Sequence, residues 1–159
     1  MATGRVYTAM IDGVAATTAI EFFFIACPTD AVTFIEEICI TQDTIEISEQ
    51  LALSLWRTTT DSSAGGTANT PNPTEIGNPA YGGTVRTMVA AAASAKTTII
   101  RRESQNILNG WLWKGTYDDP ILILTPAAAT AGRMSVGLIN APAASTTFSG
   151  FMRFREIGG

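Results

Sequence analysis

Two adjacent carboxylate pairs, Glu36–Glu37 and Asp118–Asp119, are the residues of this chain whose types and spacing come nearest to catalytic equipment. A pair of carboxylates flanking a substrate is the tool of glycoside hydrolysis, one acting as acid and the other as base or nucleophile. Neighbours on a regular strand point to opposite faces, which would part Glu36 from Glu37. Asp118–Asp119 stand before Pro120, which is turn chemistry. A working dyad would therefore have to be drawn from distant strands. Asp43, Glu46 and Glu49 could offer oxygens to a calcium ion. They lack the spacing of a calcium-binding loop, and a solvated turn accounts for them.

The chain contains no histidine. That removes serine and cysteine triads and histidine-ligated zinc or iron. The two cysteines, Cys27 and Cys39, are too few for a structural zinc site. No glycine-rich turn joins a strand to a helix, so no nucleotide fingerprint is present. The expectation is a protein with no enzymatic activity, no cofactor and no metal. A turn after Cys27 would leave Cys39 several residue pairs away across the hairpin, too far for a bridge between them. Free thiols fit a reducing cytoplasm, and a disulfide to a neighbouring chain stays open. Trp56, Trp111, Trp113 and Tyr117 form an aromatic set that could stack on sugars; core or subunit-interface packing is the plainer alternative.

The elements that must position these residues read as strands. Residues 17–26 are β-branched and aromatic and stop at Cys27–Pro28. Residues 32–41 alternate, with Val32, Phe34, Ile38 and Ile40 on one face and Thr33, Glu37 and Thr41 on the other. Glu36 breaks that pattern, as a charge near a strand end or a bulge would. Residues 48–60 place Leu51, Leu53 and Leu55 opposite Ala52, Ser54, Trp56 and Thr58. Residues 84–95 read as a strand followed by an irregular stretch, and 97–102 and 121–125 as short strands. Residues 133–140 set Met134, Val136 and Leu138 against Ser135, Gly137 and Ile139. Residues 147–157 set Phe148, Met152 and Phe154 against Ser149, Phe151, Arg153 and Arg155. Residues 1–13 are an N-terminal arm or a first strand. Residues 61–83 form a long Gly/Pro-rich loop, in which Gly65–Gly66 gives freedom and Pro71 and Pro73 stiffen the chain. The expected role of that loop is an ordered arm lying on a neighbouring subunit.

This pattern predicts one all-β domain over residues 1–159, a jelly-roll β-sandwich of about eight strands. Of the 159 residues, 46% are hydrophobic and only 15% charged, against roughly 25% charged in an ordinary soluble domain. Such a surface suits packing against protein. The net charge is −4 and the basic residues are scattered, which disfavours nucleic acid and membrane surfaces as partners. No apolar run is long enough to span a bilayer, and residues 1–10 do not read as a signal peptide.

Three segments occur in a specific order. They are Gly65-Gly66-Thr67-Ala68-Asn69-Thr70-Pro71-Asn72-Pro73, then Gly110-Trp111-Leu112-Trp113 followed by Asp119-Pro120, and last Ala141-Pro142 with Phe148-Ser149-Gly150-Phe151 and Phe154-Arg155-Glu156-Ile157-Gly158. From about residue 37 onward the chain resembles the jelly-roll capsid decoration (cement) proteins of tailed bacteriophages. The resemblance implies a homotrimer on the outer surface of a virion, made in the bacterial host cytoplasm. It would bind the phage major capsid protein and staple neighbouring capsomers, gaining avidity from several contacts at once. Arg5, Tyr7, Gly65, Gly66, Thr70, Pro71, Pro73, Trp111 and Trp113 are the expected capsid or subunit contacts. The alternative is a glycan-binding jelly-roll module of a phage head fibre or spike, which needs Trp111 or Trp113 exposed.

Overall fold

A computed structural model describes residues 4–43, 48–59, 65–90, 96–115, 122–126 and 132–158. Alternating apolar residues put strands on both sides of a shared core. The strands are β1 (Arg5–Ala16), β2 (Ile20–Ala26), β3 (Ala31–Gln42), β4 (Gln50–Thr58), β5 (Thr67–Asn69), β6 (Asn72–Pro73), β7 (Thr84–Ala90), β8 (Lys96–Asn106), β9 (Trp111–Lys114), β10 (Leu122–Leu124), β11 (Arg133–Leu138) and β12 (Thr146–Gly158). One turn of 3-10 helix, Ile107–Asn109, joins β8 to β9. Among the described residues no helix is long and apolar enough to cross a membrane.

The first sheet runs β10-β3-β12-β1-β6, with β9 also paired to β3; the second runs β5-β7-β2-β11-β4-β8. Every pairing is antiparallel. The chain is therefore all-β, two antiparallel sheets face to face as a β-sandwich. Tyr7, Ile11, Ile35, Ile38, Ile40, Trp111, Trp113, Phe148, Met152 and Phe154 come from the first sheet. They meet Phe22, Phe23, Ile25, Leu51, Leu53, Leu55, Met134, Val136 and Leu138 of the second in one core. The Phe22 and Phe148 rings touch between the sheets, centroids 4.8 Å apart.

The expected facing of β4, β11 and β12 holds: Leu51, Leu53 and Leu55, then Met134, Val136 and Leu138, then Phe148, Met152 and Phe154 all join the core. The facing of β3 holds after Glu36, where Ile38 and Ile40 join the core, and fails before it; of the two readings of Glu36 the bulge is the one observed. Register along β12 shifts between Arg153 and Phe154, which pair with Glu37 and Ile35, so Glu36 is an extra residue in a β-bulge. Before the bulge Ala31, Thr33 and Ile35 point inward; after it Ile38 and Ile40 do. Val32 and Phe34 lie on the outer side.

Residues 1–13 contribute a strand, β1, as far as they are described. The loop expected to reach a neighbour lies instead on its own chain over residues 65–83. β5 pairs with β7, β6 pairs with β1, and Tyr81 enters the core. Gly66 does more than add freedom. Its φ is +61° and a Cβ there would sit 2.3 Å from the Thr87 carbonyl oxygen, so the close pass of β5 against β7 requires glycine.

Candidate assembly face

The two sheets differ in what their outer faces offer. On the second sheet Phe24, Trp56 and Val89 point away from the core and are nonetheless fully buried. Glu21, also buried, accepts a 2.7 Å hydrogen bond from the Ser135 hydroxyl on that side. On the first sheet the outer face is open, and its residues fall into rows set by strand register.

Met10 pairs with Phe151, Phe151 with Cys39, and Cys39 with Leu112. These four side chains form one apolar row across β1, β12, β3 and β9. Their strand neighbours Ala9, Ile11, Met152, Ile38, Ile40, Trp111 and Trp113 are all buried, so the row points outward. Met10 is 55% exposed and Leu112 is 60% exposed. Burial, and then the Glu37 carboxylate, push the Cys39 thiol above its ordinary pKa, so it is a protonated, weakly polar side chain at neutral pH.

The row has different charge on its two sides. On one side Thr8, Arg153, Glu37 and Lys114 form the next row. The bulge corrects the expectation that Glu36 and Glu37 point to opposite faces: both line one shallow hollow with Lys114, Gly115 and Arg153. Its volume of about 220 Å³ falls below the roughly 300–1,000 Å³ of ligand pockets. The Glu36 carboxylate is already held by Arg155 Nε at 2.8 Å and Arg153 Nε at 3.4 Å. On the other side Ser149 Oγ lies 2.6 Å from Asp43 Oδ2 and 3.5 Å from Asp12 Oδ1, and it accepts the Gly13 N–H at 2.9 Å. Neither aspartate makes an ion pair among the described residues.

Of the expected contact residues, Tyr7, Trp111 and Trp113 are buried within this chain, with no ring surface for a partner or a sugar. The Trp111 indole N–H donates to Glu103 Oε2 at 2.7 Å. Alternation on β9 explains the correction: Trp111 and Trp113 share the inward face and Leu112 takes the outward one. Pro71 is buried too, while Gly66, Thr70 and Pro73 are exposed and Gly65 is half-buried. Arg5 is half-buried against Glu156 at 3.3 Å. Tyr117, Glu46 and Asp118–Asp119 lie outside the described residues. Glu49 accepts the Ala143 N–H at 2.9 Å. No group of three metal-ligating side chains occurs among the described residues.

A buried polar cluster ties the loop to the sandwich. Tyr81 donates to the Ala26 carbonyl at 3.1 Å and shares a 2.9 Å contact with the Thr33 hydroxyl. Tyr7 donates to the Pro79 carbonyl, and Glu156 accepts from Gly82 N and from Arg5. Cys27 Sγ faces the Ala31 and Leu124 carbonyl oxygens. Burial raises the Tyr81 phenol far above its ordinary value and also raises Cys27. Every polar group named here has a partner, which is the pattern of a structural clasp.

No family model, curated protein or solved structure matches this chain.

Proposed function

We propose that this protein works by assembly and not by catalysis, as a structural subunit of the capsid decoration kind. The observation that carries the reading is the outward Met10–Phe151–Cys39–Leu112 row, four apolar side chains made neighbours by strand register, while other exposed apolar residues such as Ile76 and Leu108 lie outside it. Soluble monomers scatter exposed apolar side chains singly; a register-aligned row of them marks a surface meant for protein. Low overall charge supports the same reading.

The jelly-roll part rests on strand order. With the short β5, β6 and β10 set aside, β1, β12, β3 and β9 are neighbours in one sheet, and β2, β11, β4 and β8 in the other, where β7 adds a further strand beside β2. Successive strands β1 to β4 alternate between the sheets, as they do when paired antiparallel strands wrap around a barrel-like core. The decoration role adds a capsid as partner and a virion as location, and a three-fold arrangement is what the resemblance implies. The buried tryptophans weigh against the glycan-binding alternative.

The test is the copy number in purified particles, measured against the major capsid protein by quantitative mass spectrometry. A simple ratio near one, or near a third, supports decoration. A few dozen copies per particle supports a spike or fibre. Absence from particles overturns the virion role and leaves only an assembling sandwich.

A further inference from the structure

The two sides of the apolar row carry opposite unmatched charge, and that asymmetry selects a partner. Asp12 and Asp43 stand on one side without an ion pair among the described residues. On the other side Arg153 shares the single Glu36 carboxylate with Arg155, at the longer distance of the two, and Arg153 is largely exposed. Lys114 lies in the same row as Arg153 with Glu37 between them, so Arg153, Arg155 and Lys114 outnumber Glu36 and Glu37 on this flank. A face that is acidic on one flank, apolar along the middle and net basic on the other is complementary to itself when turned over.

We propose that this face binds a second copy of the chain, face to face, about a two-fold axis running along the Met10–Phe151–Cys39–Leu112 row. The inference rests on the assembly reading above; it gives this face to a second copy and leaves capsid binding and any three-fold contact to other surfaces of the chain. Rotation about that axis keeps each strand over its own counterpart and exchanges the two flanks. Along β12, Ser149 lies two residues before Phe151 and Arg153 two residues after it. Arg153 of one copy therefore comes over Ser149 of the other, whose hydroxyl gathers Asp12 and Asp43. The contact is made twice, once by each copy. An axis parallel to the strands would instead set Asp12 and Asp43 against the same aspartates, and Arg153 against Arg153. Like charges opposed in that way disfavour it.

The same axis brings Cys39 over Cys39 while Cys27 stays away from the interface, facing the Ala31 and Leu124 carbonyls of its own chain. Stacked sheets lie about 10 Å apart, beyond the Cα separation a disulfide spans. A short bismaleimide, which alkylates one thiol at each end, fits the gap.

The experiment uses the full chain with Cys27→Ser, leaving Cys39 as its one thiol, near neutral pH, where maleimides react with thiols in preference to lysine amines. Bismaleimide should convert most of the chain to a species of twice the 16.8 kDa subunit mass. Arg153→Asp should lower that yield about tenfold, and adding Asp43→Arg to Arg153→Asp should restore it. Circular dichroism confirms that the variants remain folded. Association by light scattering without a Cys39 bridge, including a trimer of that kind, overturns the pairing and spares the assembly reading. A chain that stays single with no bridge overturns both. Bridging unaffected by Arg153→Asp overturns the assigned axis.

Discussion

Tyr81 stands edge-on to Phe154, ring centroids 4.8 Å apart and planes at 68°. Through this contact the Gly/Pro-rich loop is part of the core, seventy-odd residues along the chain from the strand it braces. Tyr81→Ala should cost about 3–5 kcal/mol, as other large-to-small core changes do. Tyr81→Phe, which keeps the ring and drops the bonds to Ala26 and Thr33, should cost about 1–2 kcal/mol. Urea midpoints at constant slope measure both. An unchanged midpoint for Tyr81→Ala would show that the loop is not clasped.

The same phenol sets an alkaline limit. Its folded pKa is raised above the ordinary 10.0 by burial, so the folded state holds the proton more tightly than the unfolded state. The contribution is intact below pH 10 and is lost as pH rises above it. Tyrosinate absorbance should therefore show Tyr81 ionising together with unfolding, as one cooperative step. A simple titration of this residue in the folded protein near pH 10 would contradict its burial.

Strand facing is open to charge insertion. Leu53→Asp and Val136→Asp each bury an unpaired carboxylate in the core and should prevent folding. Leu112→Asp, on the outward face of β9, should still fold, its melting temperature lowered only by what self-association adds and so converging on that of the parent at high dilution. Soluble, folded Leu53→Asp would invert the assignment of β4.

Gly137 is fixed by close approach. A Cβ there would lie 2.2 Å from the Ile20 carbonyl oxygen and 2.7 Å from the Glu21 Cα, both backbone atoms. Gly137→Ala should destabilise by about 1–3 kcal/mol, the range for overpacking, read from thermal unfolding. A neutral effect would mean that β2 and β11 sit farther apart at their bulge.

Much of the sandwich was legible from alternation alone, because β4, β11 and β12 keep period two from end to end. In β3 the sequence marks Glu36 as a break in the alternation, but only the pairing of Arg153 and Phe154 to Glu37 and Ile35 shows that it is a bulge and that the residues before it face the other way. The first strand shows inward Tyr7, Ala9 and Ile11 in its sequence, but the residues ahead of it, Met1-Ala2-Thr3-Gly4, carry no alternation and also suit an arm. The loop looked like a reaching arm because its composition reports stiffness and not destination. Its anchor, Tyr81, sits among Asn, Pro and Gly residues that give no periodic signal. The apolar row was not legible at all. Met10, Phe151, Cys39 and Leu112 come from four strands and become neighbours only through register. The charge on either side of the row depends on register in the same way.

The central claim is that the open face of the first sheet exists to be covered by protein. Sedimentation equilibrium of the intact chain over a wide concentration range, beside a Met10→Asp/Leu112→Asp variant, tests it most directly. The account predicts a wild-type mass that is a multiple of 16.8 kDa and falls on dilution, with the folded variant at the single-chain mass throughout. A wild-type chain that stays at the single-chain mass at the highest concentration, indistinguishable from the variant, would contradict it.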